Sequence, residues 1–158
     1  MNWKNDWIGL LAGSLMVALP LGVTGGEAPA PAVAPDAKAV TSKRYEDVEV
    51  VKFPWGWIRW VMNSKIDPKA EMTMGIVQVE PNQSNPYHLH PNSAEYVHVL
   101  SGSCEQFADG KWVPMKEGDT MRFPKGVPHK ARTGKDPCRM MVLYDTGTRE
   151  MVVLDEKK

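Results

Sequence analysis

Three histidines and one glutamate are the residues whose types and spacing could do chemistry. His88 and His90 fall in the run HLHPNSAEYVHVLSG, which also carries Glu95, and His129 falls in GDTMRFPKGVPHKART, Gly118 to Thr133. His88 and His90 alternate with one residue between them, so on an extended strand both imidazoles point to one face. The PNSA segment after them has turn composition, so the chain is predicted to return antiparallel and bring Glu95 beside the two rings. Neutral imidazoles with a carboxylate suit one divalent transition metal: iron, manganese, nickel, copper or zinc. Calcium and magnesium, which prefer oxygen donors, fit this set poorly. With four protein ligands, a six-coordinate ion keeps open positions for water, substrate or dioxygen.

Those elements have a recognisable order. The run HLHPNSAEYVHVLSG resembles the first cupin motif, H-x-H-x(3,4)-E-x(6)-G, ending at Gly102. The run from Gly118 resembles the second, G-x(5)-P-x-G-x(2)-H-x(3)-N, with Gly118, Pro124, Gly126 and His129 in register. There are two departures. Asn82 stands where the family's first motif opens with glycine, and asparagine tolerates a left-handed backbone better than most residues. Thr133 replaces the closing asparagine and is expected on the same side as His129, where it could alter cavity polarity. The resemblance spans roughly residues 45–153. It implies an all-β domain, a double-sheet jelly-roll barrel, with the metal inside, a small-molecule site beside it and pairing of two chains into a homodimer.

Composition agrees with a small β domain and excludes some partners. The chain has 158 residues, no net charge, thirteen glycines and thirteen prolines. One domain of many short strands is expected. No basic cluster of the kind that binds nucleic acid is present.

The N-terminus differs from the rest. After Lys4 and Asp6, residues 7–23 carry no charge. Residues 1–25 therefore read as a signal peptide or a membrane anchor, which places the protein outside the cytoplasm, periplasmic or extracellular. Pro20 interrupts the apolar run, which is at the short end of what spans a bilayer. A buried helix of the domain is the third alternative. Residues 26–43 are an Ala/Pro-rich linker with too little apolar surface to fold. The cupin-like domain is expected at 44–154 and a charged tail at 155–158.

Within the domain, Tyr45–Val51 reads as a strand. FPWGWIRWVM follows, with Gly56 as a candidate bulge and its tryptophans as core and dimer surface, or one of them, or Arg59, on the cavity wall. Residues 72–79 form a strand whose Met72–Met74 face suggests core packing. If Glu95 points inward, so do Val97 and Val99, which turns His98 outward and away from any metal. CEQFADGKWVPM is a hairpin with its turn at Asp109-Gly110. Cys104 and Cys138 either form a disulfide or remain buried thiols.

The site and the resemblance together imply an exported, metal-dependent enzyme on a small organic substrate. Dioxygenase-like oxidoreductase chemistry comes first, metal-assisted isomerase or lyase chemistry second. A non-catalytic cupin that holds a sugar or organic acid is the alternative. Tyr87, Gln78, Arg122 and Tyr144 are candidate wall residues, without an assigned catalytic role.

Overall fold

Alternation along three strands builds the main wall of the domain. In the computed structural model, which describes residues 41–155, eleven strands follow a single 3-10 turn at Tyr45–Asp47. They are β1 Val51–Phe53, β2 Gly56–Met62, β3 Thr73–Val79, β4 His88–Leu89, β5 Glu95–Ser101, β6 Ser103–Ala108, β7 Lys111–Lys116, β8 Thr120–Phe123, β9 Lys130–Arg132, β10 Cys138–Tyr144 and β11 Val152–Val153. The expected signal peptide or anchor at 1–25, nearly all of the linker at 26–43 and most of the charged tail lie outside the described residues.

One sheet runs β1-β2-β3-β10-β5-β8, and a second runs β7-β6-β9. A short β4–β11 ladder extends the second layer, since isolated bridges join Ser84 to Arg132 and His88 to His129. The result is the expected double-sheet jelly roll. Its inner face is period-two: β3 buries Thr73, Gly75, Val77 and Val79; β10 buries Cys138, Met140, Val142 and Tyr144; β5 buries Glu95, Val97 and Val99. Antiparallel register places Val97 and Val99 beside Val142 and Met140, and Glu95 beside Tyr144. Each fully buried valine contributes about 1.5–3 kcal/mol of transfer free energy. The apolar middle of the sheet therefore holds the polar end in place.

Several local expectations change. Tyr45–Val51 is not a strand: a 3-10 turn occupies its start, and β1 begins at Val51. The bulge lies between Trp60 and Met62, not at Gly56. Gly56, at φ 153°, is required for another reason, since a Cβ there would stand 1.9 Å from the Gln78 carbonyl oxygen of the next strand. The methionine face of β3 points outward, with Met72 at 45% exposure, because the opposite face pairs with the core. β4 and β5 do not pair. The turn after His90 carries the chain from one layer to the other, and β5 bonds to β8 and β10. The Asp109-Gly110 hairpin is as expected, with both residues at positive φ. Cys104 and Cys138 are buried free thiols.

Asn82 takes the left-handed conformation that its position requires, with φ 56°. Thr133 secures that turn instead of facing the cavity. Its hydroxyl donates to the Glu80 carbonyl at 2.5 Å and accepts from the Gln83 N–H at 3.2 Å. Replacing Asn82 with glycine should leave thermal stability nearly unchanged, whereas valine should cost about 1–2 kcal/mol, read from denaturant melts.

Candidate metal centre

Opposite layers supply the ligand atoms. His88 and His90 come from β4 and the residue after it, His129 from the residue before β9, and Glu95 from the first position of β5. All four are buried, and their ligand atoms lie within 4.8 Å of one another. The His88–His129 backbone pair, with N–H to carbonyl distances of 3.0 and 2.8 Å, fixes those two residues side by side.

Each imidazole is oriented by its far nitrogen. Nδ1 of His88 lies 2.7 Å from the Pro86 carbonyl, that of His90 2.6 Å from the Glu150 carbonyl, and that of His129 2.9 Å from the Val127 carbonyl. A carbonyl only accepts, so each Nδ1 carries the proton, and each neutral ring keeps a lone pair on Nε2. The Nε2 of His129 faces Glu95 Oε2 at 2.7 Å, and that of His90 lies 3.0 Å from the same oxygen. Yet His90 Nε2, fully buried, has no hydrogen-bond partner. Lone pairs aimed at a carboxylate oxygen are stabilised by a proton or a cation between them. One cation satisfies three rings and the carboxylate together, so the donor set fits a metal ion.

Charge states agree with this. Burial, with His129 close beside it, lowers His88 to about 4, so its ring is neutral at physiological pH. Burial also works against the Glu95 carboxylate, but the contacts from His129 and His90 outweigh it and hold the group well below the usual carboxylate range. Glu95 Oε1 is taken by the Tyr144 hydroxyl, which donates at 2.9 Å. Burial and the Glu95 charge raise Tyr144 well above its ordinary value, so it stays a neutral donor. Oε2 is the oxygen left to face the histidines.

A cavity of about 160 Å³ adjoins the centre. Trp55, Ile58 and Trp60 form one side, Val97, Met140 and Val142 another, and His88, Glu95, His129 and Tyr144 the deep end. Gly75 makes room for Trp60, since a Cβ there would stand 2.9 Å from the indole. Of the candidate wall residues, Tyr144 is in place. Tyr87 packs edge-on to Phe107, Gln78 bonds to Glu80, and Arg122 stacks on Tyr96. Arg59 reaches the Tyr45 carbonyl instead of the cavity. His98 points outward to the Thr120 hydroxyl at 2.8 Å, as strand parity requires.

Two residues had no signal in the motif spacing. Asn92 clasps the segment after β10, with its Nδ2 donating to the Thr148 carbonyl at 2.7 Å and its Oδ1 accepting from the Glu150 N–H at 3.0 Å. It thereby positions the Glu150 carbonyl that orients His90. Arg149, from the same segment, lines the cavity.

Residues 75–144 match the family model described as cupin domain. The chain carries a cupin domain. Its relatives include protein SchB of Streptomyces halstedii, 28% identical over 63% of this chain and 72% of that protein. Oxalate decarboxylase of Bacillus subtilis, whose Mn(II) centres have been studied, superposes with a TM-score of 0.63 at 21% identity, over 70% of this chain and 31% of that one. The polyketide cyclase RemF of Streptomyces resistomycificus gives a TM-score of 0.62 at 23% identity, over 75% of this cupin and 88% of RemF. These likenesses establish the barrel. Among the described residues no helix is long and apolar enough to cross a membrane.

Proposed function

We propose that His88, His90, Glu95 and His129 hold one divalent transition metal, and that the centre serves a dioxygenase-like oxidoreductase acting on a small organic substrate. One observation carries the metal: three buried imidazoles, each with its Nδ1 proton committed to a backbone carbonyl, gather with Glu95 so that their ligand atoms lie within 4.8 Å of one another, and the Nε2 atoms of His90 and His129 face one carboxylate oxygen. The metal would supply open coordination positions for an oxygen-donor substrate and for dioxygen. The protein's own contribution is orientation and dryness. Tyr144 keeps Glu95 Oε1 occupied, so the carboxylate is presented through Oε2. Trp60, Val97 and Val142 exclude water from the substrate side.

Oxidative chemistry is preferred over isomerase or lyase chemistry for a stated reason. Proton abstraction needs a spare acid or base near the open positions. Among the described residues, the cavity lining contains no carboxylate other than Glu95 and no imidazole other than the candidate ligands. The leader-like residues 1–25 support export as part of the same proposal. The names of the structural neighbours include a decarboxylase and a cyclase, so fold alone selects no reaction.

The test is oxygen uptake by the full chain loaded separately with iron, manganese, nickel, copper or zinc, offered a panel of small chelating hydroxy and carboxylic acids. Consumption with a redox metal and none with zinc is the expected outcome. Turnover that proceeds equally with zinc and without oxygen would assign isomerase or lyase chemistry. Binding without turnover in every form would assign a ligand-holding role.

A further inference from the structure

The cavity has a second polar feature that the metal centre does not use. Arg149 is half-buried on its wall, and the guanidinium carbon lies 4.7 Å from the Trp60 ring centroid and 5.2 Å from that of Tyr144. It has no ion pair or side-chain hydrogen bond with any described residue. An arginine held by its flat face on aromatic rings keeps its N–H edges free for a carboxylate, which they match as a fork. Arg149 is also held in place. The Asn92 clasp fixes the residues on either side of it, Thr148 and Glu150.

We propose that Arg149 binds the anionic group of the ligand, and that the ligand is a compact aromatic carboxylate of about one ring. The deep end of this assignment rests on the metal reading above; the Arg149 end does not. Size sets the first limit. The volume of about 160 Å³ is close to that of an apolar cavity that accepts benzene, roughly 150 Å³. Lining chemistry sets the second. Phe53, Trp55, Trp60 and Tyr144 contribute four aromatic rings, which favour a flat, π-bearing ligand.

Tyr144 sets the length. Its ring lies beneath the Arg149 guanidinium, while its hydroxyl bonds to Glu95. A ligand lying along Tyr144 with one oxygen at the centre therefore reaches Arg149 after about one ring. Phe53 and Met151 also line the cavity and are 40% and 47% exposed, so the mouth lies on their side and the ligand enters past them. Charge agrees as well. Among the described residues Glu95 is the sole carboxylate of the lining, so a divalent ion together with Arg149 leaves the site positive. An anionic ligand balances it, and a neutral one does not.

Binding can be read without turnover, because Trp55 and Trp60 line the cavity and report its occupation by fluorescence. The full chain, both chelator-treated and metal-loaded, is titrated with benzoate and 2-hydroxybenzoate and with the neutral benzamide and 2-hydroxybenzamide. Benzoate should bind the wild type at least tenfold more tightly than benzamide. Arg149→Met should erase that difference, and Arg149→Lys should keep part of it. Metal should strengthen 2-hydroxybenzoate more than benzoate. Equal binding of acids and amides, indifference to Arg149→Met, or no binding of either acid in both forms overturns the proposal. If Arg149→Met does not fold, the acid-to-amide ratio in the wild type and in Arg149→Lys decides. A chain that takes up no metal but holds benzoate through Arg149 refutes the centre and not this site. Stoichiometric metal with acids indifferent to Arg149 does the reverse.

Discussion

Replacing His88 and His90 together with alanine is expected to reduce bound metal from near-stoichiometric to background, measured by elemental analysis of the full chain purified without a histidine tag. The loss removes two of the three Nε2 donors and leaves Glu95 and His129 on opposite layers with no ring between them. Glu95→Gln should also weaken retention, since it keeps the shape and removes the only carboxylate of the set. Asn92→Ala tests orientation rather than ligation. It frees the segment that presents the Glu150 carbonyl to His90, and loss of such outer support typically costs about 10- to 100-fold in metal affinity. His98→Ala is the control, because that ring faces Thr120 on the outside. A double mutant that retains full metal would place the ion elsewhere.

Acid should destabilise the metal-free protein, and the window follows from the same residues. His88 is held at about 4 against an ordinary 6.5, so between those values the unfolded chain binds a proton that the folded one refuses. Stability therefore rises with pH across that window and is lost as pH falls through it, by up to about 3 kcal/mol for His88 alone. Glu95 acts in the same direction at lower pH. Its folded carboxyl is depressed, so its contribution is complete above the ordinary carboxylate value of 4.5 and is lost below it. Urea melts of chelated protein between pH 7 and pH 4 should show the slope, and His88→Gln should flatten it above pH 4.5. A flat wild-type profile would mean that His88 is protonated in the fold. In the loaded protein, protons compete with the ion for Nε2, so metal release should occur over the same range.

Local rules made the centre of the domain legible in the sequence. Alternation put Glu95, Val97 and Val99 on one face and sent His98 to the other, and Asp109-Gly110 marked its hairpin. The His88/His90 spacing gave a shared face. What sequence did not yield was who lies opposite whom. The pairing of β4 with β11 links residues far apart in the chain, and no local pattern encodes it. The bond from Tyr144 to Glu95 follows from the β5–β10 register, which spacing within either strand cannot specify. Thr133 kept the sidedness expected of it but spends its hydroxyl on the turn around Asn82, because that turn packs against its own strand end. Asn92 and Arg149 were invisible for the same reason, since each matters only through a segment brought over by the fold.

The Asn92 clasp also bears on when this centre can exist. The carbonyl that fixes His90 belongs to Glu150, sixty residues further along the chain. At typical synthesis rates Glu150 is made about 3 to 12 seconds after His90. Through that interval His88, His90 and Glu95 are present without the Glu150 carbonyl, the Asn92 clasp or the β11 strand that pairs with β4. A nascent chain thus offers only loosely oriented imidazoles to whatever ion is nearby. The proposed metal geometry needs this late-made segment, so under that proposal the choice of ion belongs to the finished protein and not to the growing one.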